Sequence, residues 1–241
     1  MKHGILLAGG TGSRLYPLTQ IVNKHLLPVN GKFIIDYPIH SLKNCGVENL
    51  TIVLGGAHFS QVVNYLQDGS KYEMNFNYVF QKEPSGIAQA INLCKTQVHE
   101  NKFIVCLGDN IFENKISFKN KKGAQIVLCK HHELNRFGVA TISNNKILKI
   151  EEKPKELSKD TFGNSIENYA ITGCYSFDQD YFEYFKEISP SKRNEYEITD
   201  IINIYNKNSK LNWTMVDGLW SDAGTHESIS FVNDYFYRKN I

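Results

Sequence analysis

Gly9, Gly10 and Gly12 fall in one run, Gly-Gly-Thr-Gly-Ser-Arg over residues 9–14, directly after an apolar stretch. Without Cβ atoms there, backbone N–H groups can approach a polyphosphate closely. Arg14 ends the run with a planar fork suited to phosphate. Lys24 follows in an otherwise apolar context, Lys-His-Leu-Leu-Pro-Val. The glycine spacing is that of neither the P-loop nor the dinucleotide fingerprint. Taken alone, the run supports a phosphate-binding turn or a plain tight turn. Asp109 and Asp222 are candidate metal ligands, because each closes an extended segment. Magnesium takes one or two protein carboxylates together with phosphate oxygens. Each aspartate could equally cap the element that follows it. By residue type, Glu151-Glu152-Lys153 reads as an exposed charged strand end. The histidines at 3, 25, 40, 58, 99, 131, 132 and 226 show no zinc-ligand spacing. His131-His132 reads as an adjacent pair at a strand end, with rings pointing to opposite faces. There is no Ser-His-Asp set, and no covalent enzyme intermediate is expected.

These residues need elements to hold them. Residues 3–8, 50–54 and 103–107 are continuous apolar runs, each closed by glycine. Such runs suit strands buried on both faces of a parallel sheet. Residues 37–45 place apolar side chains at 37, 39, 42 and 45 before Gly46, and 87–94 repeat the pattern, so both predict helices. Strand–helix alternation predicts a doubly wound α/β fold with a mixed, mostly parallel sheet. In such a sheet the first strand–helix turn is where ligands bind. The second half changes character. Strands are predicted over 124–130, 139–142, 147–151 and 169–177, with Asn144-Asn145 as a hairpin turn. Residues 155–168 read as a polar loop. A helix starts over 181–185, another covers 198–205, and a last one covers 228–237. Residues 213–216 and 218–222 read as extended.

The bulk composition narrows the function classes. With 241 residues and 41% hydrophobic content, the chain can bury a sizeable core. The net charge is +2, from 27 basic and 25 acidic residues, so no strong field points to nucleic acid or an anionic membrane. No apolar run approaches the ~20 residues of a membrane span, and the N-terminal apolar stretch is too short for a signal peptide. The cysteines at 45, 94, 106, 129 and 174 form no CxxC pair, which predicts reduced thiols and a cytoplasmic location. Of the 27 basic residues only Arg14, Arg136, Arg193 and Arg238 are arginine. Arginine retained against such a lysine bias suggests a need for its planar fork.

Taken in order, the motifs resemble a known family. Leu7-Ala8-Gly9-Gly10-Thr11-Gly12-Ser13-Arg14-Leu15-Tyr16-Pro17-Leu18-Thr19, then Asn23-Lys24-His25-Leu26-Leu27-Pro28-Val29, resemble the signature of the glucose-1-phosphate thymidylyltransferases, which are sugar-1-phosphate nucleotidylyltransferases. Gln81-Lys82-Glu83-Pro84-Ser85-Gly86-Ile87-Ala88-Gln89-Ala90 is similar to that family's base-binding segment, and Leu107-Gly108-Asp109-Asn110 to its metal-binding turn. Arg136-Phe137-Gly138-Val139, Glu151-Glu152-Lys153-Pro154 and Tyr169-Ala170-Ile171-Thr172-Gly173 match its sugar-binding elements. Arg193-Asn194-Glu195-Tyr196-Glu197-Ile198-Thr199-Asp200 and Trp220-Ser221-Asp222-Ala223-Gly224-Thr225 complete a set that spans nearly the whole chain.

The resemblance implies a Rossmann-like nucleotidyltransferase core with a small β-rich sugar-binding part. It implies one domain over 1–241, with a nucleotide-binding half at about 1–115 and a sugar-phosphate-binding half at about 116–241. The implied reaction moves a nucleotidyl group from a triphosphate, dTTP by default, to a sugar-1-phosphate, glucose-1-phosphate by default. Arg14 and Lys24 are implied at the triphosphate, and Lys153 and Arg193 on the sugar phosphate, as the catalytic cations. Leu7, Gly9, Gly10, Gly12, Ser13, Gln81, Gly86 and Asp109 are implied in nucleotide binding. Gly138, Glu152, Lys153, Ile171, Arg193 and Trp220 are implied in sugar-phosphate binding. Asp109 and Asp222 are the implied ligands of Mg2+. A glutamine amide donates and accepts together, as a pyrimidine edge requires, which suits Gln81. Gln89 is expected to be structural or at the ribose, Arg136 has no assigned role, and Trp220 is expected near the sugar or in the core.

The implied mechanism is in-line displacement at the α-phosphorus, with cations offsetting the repulsion between two anions and no general base. A homo-oligomer is also implied. The sequence departs from the family pattern at His25, where glutamine is usual and which is expected at the active-site rim. It departs also at Asn194, where glycine is usual, and at Ser221-Asp222-Ala223, where Leu-Asp-Thr is usual. The absence of the longer members' C-terminal helices implies altered or missing feedback control. A UTP-dependent enzyme and a non-catalytic nucleotide-sugar sensor are the alternatives. N-acetylated and deoxy sugars stay open as substrates. Intact Arg14, Lys24, Asp109, Lys153, Arg193 and Asp222 argue against a sensor, and the glycine spacing argues against a Rossmann dehydrogenase.

Overall fold

Apolar runs without polar alternation are stable only where both faces are covered. A computed structural model describes residues 2–99, 101–119, 122–158 and 166–239 of the chain. Along it run β1 (His3–Ala8), β2 (Pro28–Val29), β3 (Lys32–Phe33), α1 (Asp36–Asn44), β4 (Asn49–Leu54), α2 (Phe59–Leu66), β5 (Asn75–Phe80), α3 (Ile87–Asn92), β6 (Lys102–Leu107) and β7 (Asn110–Phe112). The rest comprises β8 (Ala124–Cys129), β9 (Gly138–Ser143), β10 (Lys146–Glu152), β11 (Ile166–Asp178), α4 (Asp180–Tyr184), α5 (Ile198–Lys207), β12 (Leu211–Met215), β13 (Trp220–Asp222) and α6 (His226–Lys239).

One nine-stranded sheet organises the molecule, in the order β10-β9-β11-β6-β1-β4-β5, with β8 on β11 and β12 on β8. β1 pairs in parallel with β4 and β6, and β4 with β5. β11 then runs antiparallel to β6, β8 and β9, so strands of both halves share the sheet. Successive residues of β1 face opposite layers. Ile5 and Leu7 pack with Ala88, Ile91 and Ile201 on one side, and Leu6 and Ala8 with Ile39, Leu42 and Val62 on the other. The fold is therefore a doubly wound α/β sheet of mixed direction, parallel through its first half.

Local chemistry explains the turns. Asn144 and Asn145 take φ values of 49° and 61°, the left-handed pair that a tight hairpin needs and asparagine tolerates. Of the stretch 155–168 expected as a loop, residues 166–168 begin β11, where Glu167 and Asn168 pair with Ile142 and Thr141 of β9. Residues 159–165 lie outside the described residues. All five cysteines are free, and Cys106 and Cys174 face each other across β6 and β11. Among the described residues no helix is long and apolar enough to cross a membrane.

Two small additions complete the frame. β7 pairs with β13, and a third apolar cluster joins Leu15, Leu27, Ile111, Ala223 and Val232. That cluster seats the glycine run's exit, β7, β13 and α6 on one another. Glu113 fastens it from outside, accepting from the Leu219 N–H at 2.7 Å, from the Tyr235 hydroxyl at 2.7 Å and from Lys239. These donors, Lys239 foremost, hold its carboxyl down at about 2. The folded value lies below the unfolded one near 4.5, so the stabilisation is present above pH 4.5 and is lost as pH falls toward 2. Glu113→Gln should cost roughly 1.5–3 kcal/mol and lower Tm by roughly 3–10 °C near neutral pH. Its destabilisation should shrink as pH is lowered from 4.5 to 2, read by thermal unfolding followed by circular dichroism.

Candidate active site

The site is built on the corner where β6 turns into β7. Gly108 donates its N–H to the Leu7 carbonyl at 2.8 Å, closing the end of β6 on β1. A Cβ at Gly108 would lie 2.8 Å from His25, so glycine is required for that approach. Asn110 then ties three strands together. Its Oδ1 accepts from the Gly173 N–H at 2.9 Å and from Trp220 Nε1 at 2.7 Å, and its Nδ2 donates to Asp109 Oδ1 at 3.1 Å. β13 pairs with β7 so that Asp222 stands opposite Asn110. Asp109 and Asp222 are thereby delivered to the same cavity.

Each carboxylate carries a cationic partner. Lys24 Nζ lies 2.5 Å from Asp109 Oδ2. Burial pushes the Asp109 carboxyl up, but Lys24 overrides it and the net direction is well below the usual carboxylate range. Asp222 accepts from Arg136 Nη2 at 3.1 and 2.9 Å. Burial dominates there, and with Asp109 close by it outweighs Arg136 and raises the carboxyl to about 6. Arg14 passes over Gly224, whose missing Cβ would sit 3.0 Å from Nη2. Among the described residues Arg14 makes no ion pair.

A cavity of about 460 Å³ opens beside these groups. Its walls group Arg14 and Asp109 with Asp222, and Gly138 with Glu152 and Ile171, and also include Lys153 and Trp220. Lys153 stands at φ 43°, a left-handed residue that turns the chain off β10. Arg193 is joined to the cavity through Glu152, which accepts its Nη2 at 3.2 Å, while Lys153 Nζ is 3.8 Å from the same oxygen. The sequence reading missed Glu197. It takes Arg193 Nε at 3.2 Å, Arg193 Nη2 at 2.7 Å and the Ser191 hydroxyl at 2.6 Å. Glu195 adds a third carboxylate, at 3.3 Å from Arg193. Burial, and then the Glu197 charge, raises the Glu152 carboxyl.

The glycine run reaches this cavity through Arg14. Gly12 is left-handed at φ 70°, and its carbonyl accepts the Thr19 hydroxyl at 2.7 Å. A Cβ at Gly10 would sit 3.1 Å from Lys24 Nζ. Ser13 opens the short 3-10 turn Ser13–Leu15 that carries Arg14. Gly10 and Lys24 line a separate cavity of about 290 Å³. Gln81 is buried, with Nε2 donating to Gln89 Oε1 at 2.7 Å and Oε1 facing Gly9. Gln89 thus orients the Gln81 amide. Gly86 takes φ 98°, and a Cβ there would lie 2.5 Å from the Tyr196 carbonyl. Around it Tyr196 N–H donates to the Ser85 carbonyl at 2.8 Å, and Ala88 N–H to the Tyr196 carbonyl at 3.2 Å. The expected base segment is therefore stitched to the Arg193 loop.

Two expectations change. His131 and His132 do not point to opposite faces. They lie past the end of β8, outside the alternation of a strand, and their rings stack with centroids 4.6 Å apart. His25 is not at the rim but buried beneath Gly108, its Nδ1 2.9 Å from Asn23 Oδ1. Burial, with Lys24 next to it, depresses its ring to about 3 and keeps it neutral. Asn194, where the family pattern has glycine, sits at φ 59°, a conformation asparagine tolerates. Arg136, left without a role, holds Asp222, and its place among only four arginines was the one signal for it.

The donor set fits a shared cation. Among the described residues no group of three or more metal-binding side chains is assembled. Asn110 Oδ1 is already used twice, which leaves two carboxylates and cavity space for phosphate oxygens. That is the set magnesium takes when it binds with a nucleotide.

The comparisons with known proteins bear on the family and the fold. A family model described as nucleotidyl transferase matches residues 3–238. The glucose-1-phosphate thymidylyltransferase of Neisseria meningitidis serogroup A is 33% identical over 236 residues, covering 94% of this chain and 79% of that protein. A Bacillus anthracis structure described as a glucose-1-phosphate thymidylyltransferase in complex with sucrose superposes with a TM-score of 0.87 at 44% identity, covering 97% of this chain and 94% of its own. A UDP-glucose pyrophosphorylase complexed with UDP-glucose superposes with a TM-score of 0.76 at 23% identity over 99% of each chain, which shows the shared fold.

Gly86→Ala should destabilise the protein by about 1–3 kcal/mol, since it strains a left-handed φ and drives a methyl into the Tyr196 carbonyl. The measurement is denaturant unfolding of the variant against the parent. Equal midpoints would mean that the Ser85–Tyr196 stitching is not tight.

Proposed function

This chain belongs to the nucleotidyl transferase family as a sugar-1-phosphate nucleotidyltransferase, and we propose that it transfers thymidylyl from dTTP to glucose-1-phosphate. The observation that supports the reading best is one cavity with two chemically distinct walls. One wall carries Arg14 and the two aspartates, and the other carries Gly138, Glu152 and Lys153. The first suits a polyphosphate and the second a sugar phosphate. dTTP and glucose-1-phosphate are proposed because the Neisseria meningitidis and Bacillus anthracis proteins named above carry that activity in their names.

In this mechanism Arg14 binds the two phosphates that leave as pyrophosphate. Lys24 moves from Asp109 to the triphosphate. Lys153 and Arg193 grip the sugar phosphate, with Glu152 accepting sugar hydroxyls and the Gly138 backbone supporting the ring. An oxygen of the sugar phosphate then forms a bond to the α-phosphorus while the bond to pyrophosphate breaks. The attacking oxygen is already ionised, so no side chain has to take a proton. Held by Asp109 and Asp222, magnesium would neutralise charge at the reacting phosphates. The rest of the task is alignment and offset of anion repulsion.

A pyrophosphate-release panel crossing four nucleoside triphosphates with several sugar-1-phosphates, with and without magnesium, tests this. The greatest release should come from dTTP and glucose-1-phosphate with magnesium. Greater release with UTP overturns the base, and no release from any pair overturns the activity. Asp109→Asn and Asp222→Asn should each lower kcat by at least roughly a hundredfold. Full activity in either variant overturns its role at the metal.

A further inference from the structure

The oxygens that the two candidate carboxylates could offer a cation are already engaged. Lys24 meets Asp109 Oδ2 at 2.5 Å, and Asn110 donates to Oδ1 at 3.1 Å. Arg136 Nη2 spans both oxygens of Asp222, at 3.1 and 2.9 Å. Two carboxylates this near one another need compensation when nothing else is bound. The two compensating cations are built differently. Lys24 has a flexible stem beside the glycine run, where a triphosphate would compete for it. Arg136 is braced. Its Nη1 donates to Glu133 Oε2 at 2.6 Å, its guanidinium lies 5.2 Å from the centre of the Phe137 ring, and it ends the short turn Leu134–Arg136. A divalent ion arriving alone meets a fixed like charge at Asp222 and a second one at Asp109. An ion arriving on a triphosphate brings excess negative charge that draws Lys24 and Arg14 and offsets Arg136.

We propose that Arg136 is a positioning residue that occupies both oxygens of Asp222 in the ligand-free protein, so that the divalent cation is admitted as its complex with the triphosphate and not ahead of it. The inference rests on the reading of Asp109 and Asp222 as the cation's carboxylates. It requires that a cation and a triphosphate each tighten the other's binding, and that removing the guanidinium weakens that dependence.

The test uses Mn2+ as the probe, followed by the paramagnetic resonance signal of the free ion. Titrations are run with and without an unreactive α,β-methylene analogue of dTTP, subtracting ion held by the analogue alone. The parent protein should hold Mn2+ at least about tenfold more tightly with the analogue than without it. Arg136→Met should bind Mn2+ alone about tenfold more tightly than the parent does, and Arg136→Lys, which keeps the charge, should stay near the parent. Circular dichroism checks that each variant is folded. Unchanged or weaker Mn2+ binding by Arg136→Met overturns the proposal. So does a parent protein that binds Mn2+ equally with and without the analogue, a result that needs no variant. If Asp222→Asn weakens Mn2+ binding while Arg136→Met fails to tighten it, the metal reading stands and only the ordering falls. If Asp222→Asn leaves Mn2+ binding unchanged, both fall.

Discussion

Like charges repel, and two carboxylates placed at one end of a sheet dominate their surroundings. Asp109 and Asp222 reach that position through the β6–β7 corner and the β7–β13 pair. Around them the chain sets Lys24, Arg136 and Arg14, and behind Arg136 it sets Glu133. The neutral His25 ring beneath Gly108 belongs to the same arrangement, because a charged imidazole beside Lys24 would add to the imbalance. The backbone that makes the corner is held by Asn110, an uncharged side chain that accepts from Gly173 and Trp220 and donates to Asp109.

The second wall uses the reverse pattern. Three carboxylates, Glu152, Glu195 and Glu197, surround one guanidinium at Arg193. Of these Glu197 is the most buried and the most regular in its contacts, and it also holds Ser191. Its two oxygens fix the plane of the Arg193 fork. Glu152 bridges Arg193 toward Lys153, so both cations expected on a phosphate share one acceptor. One wall is thus an acidic pair compensated by bases, and the other a basic pair compensated by acids. Under the proposed function, a substrate with several phosphates and one with a single phosphate and many hydroxyls meet different charge patterns.

Much of the fold was legible because burial on both faces leaves a plain mark. The runs that became β1, β4 and β6 contain almost no polar residue, and Asn144-Asn145 can do little else than turn. β5 was not read from the sequence although Asn-Phe-Asn-Tyr alternates with the period of a half-buried strand, because asparagine is a poor strand former. α2 has no capping side chain to announce it, and β7 is three residues long. Within the site, glycines could be read from the sequence and partners could not. Nothing in spacing pairs Lys24 with Asp109, or Arg136 with Asp222, because those contacts are made by strand order and not by proximity in the chain. The histidine pair was misread for a related reason: the strand that would have separated its rings ends at Cys129.

The backbone bonds between residues 85–88 and Tyr196 have a consequence beyond packing. They join the stretch beside Gln81 directly to the loop that presents Arg193, with no side chain in between that mutation could soften. Under the proposed function, in which the first stretch meets the base and Arg193 the sugar phosphate, preference for a base and preference for a sugar are therefore not independent traits. A change that reshapes the loop for a bulkier sugar drags the base pocket with it, so new substrate pairs should arise together in descendants of this chain, in coordinated steps, and not one partner at a time.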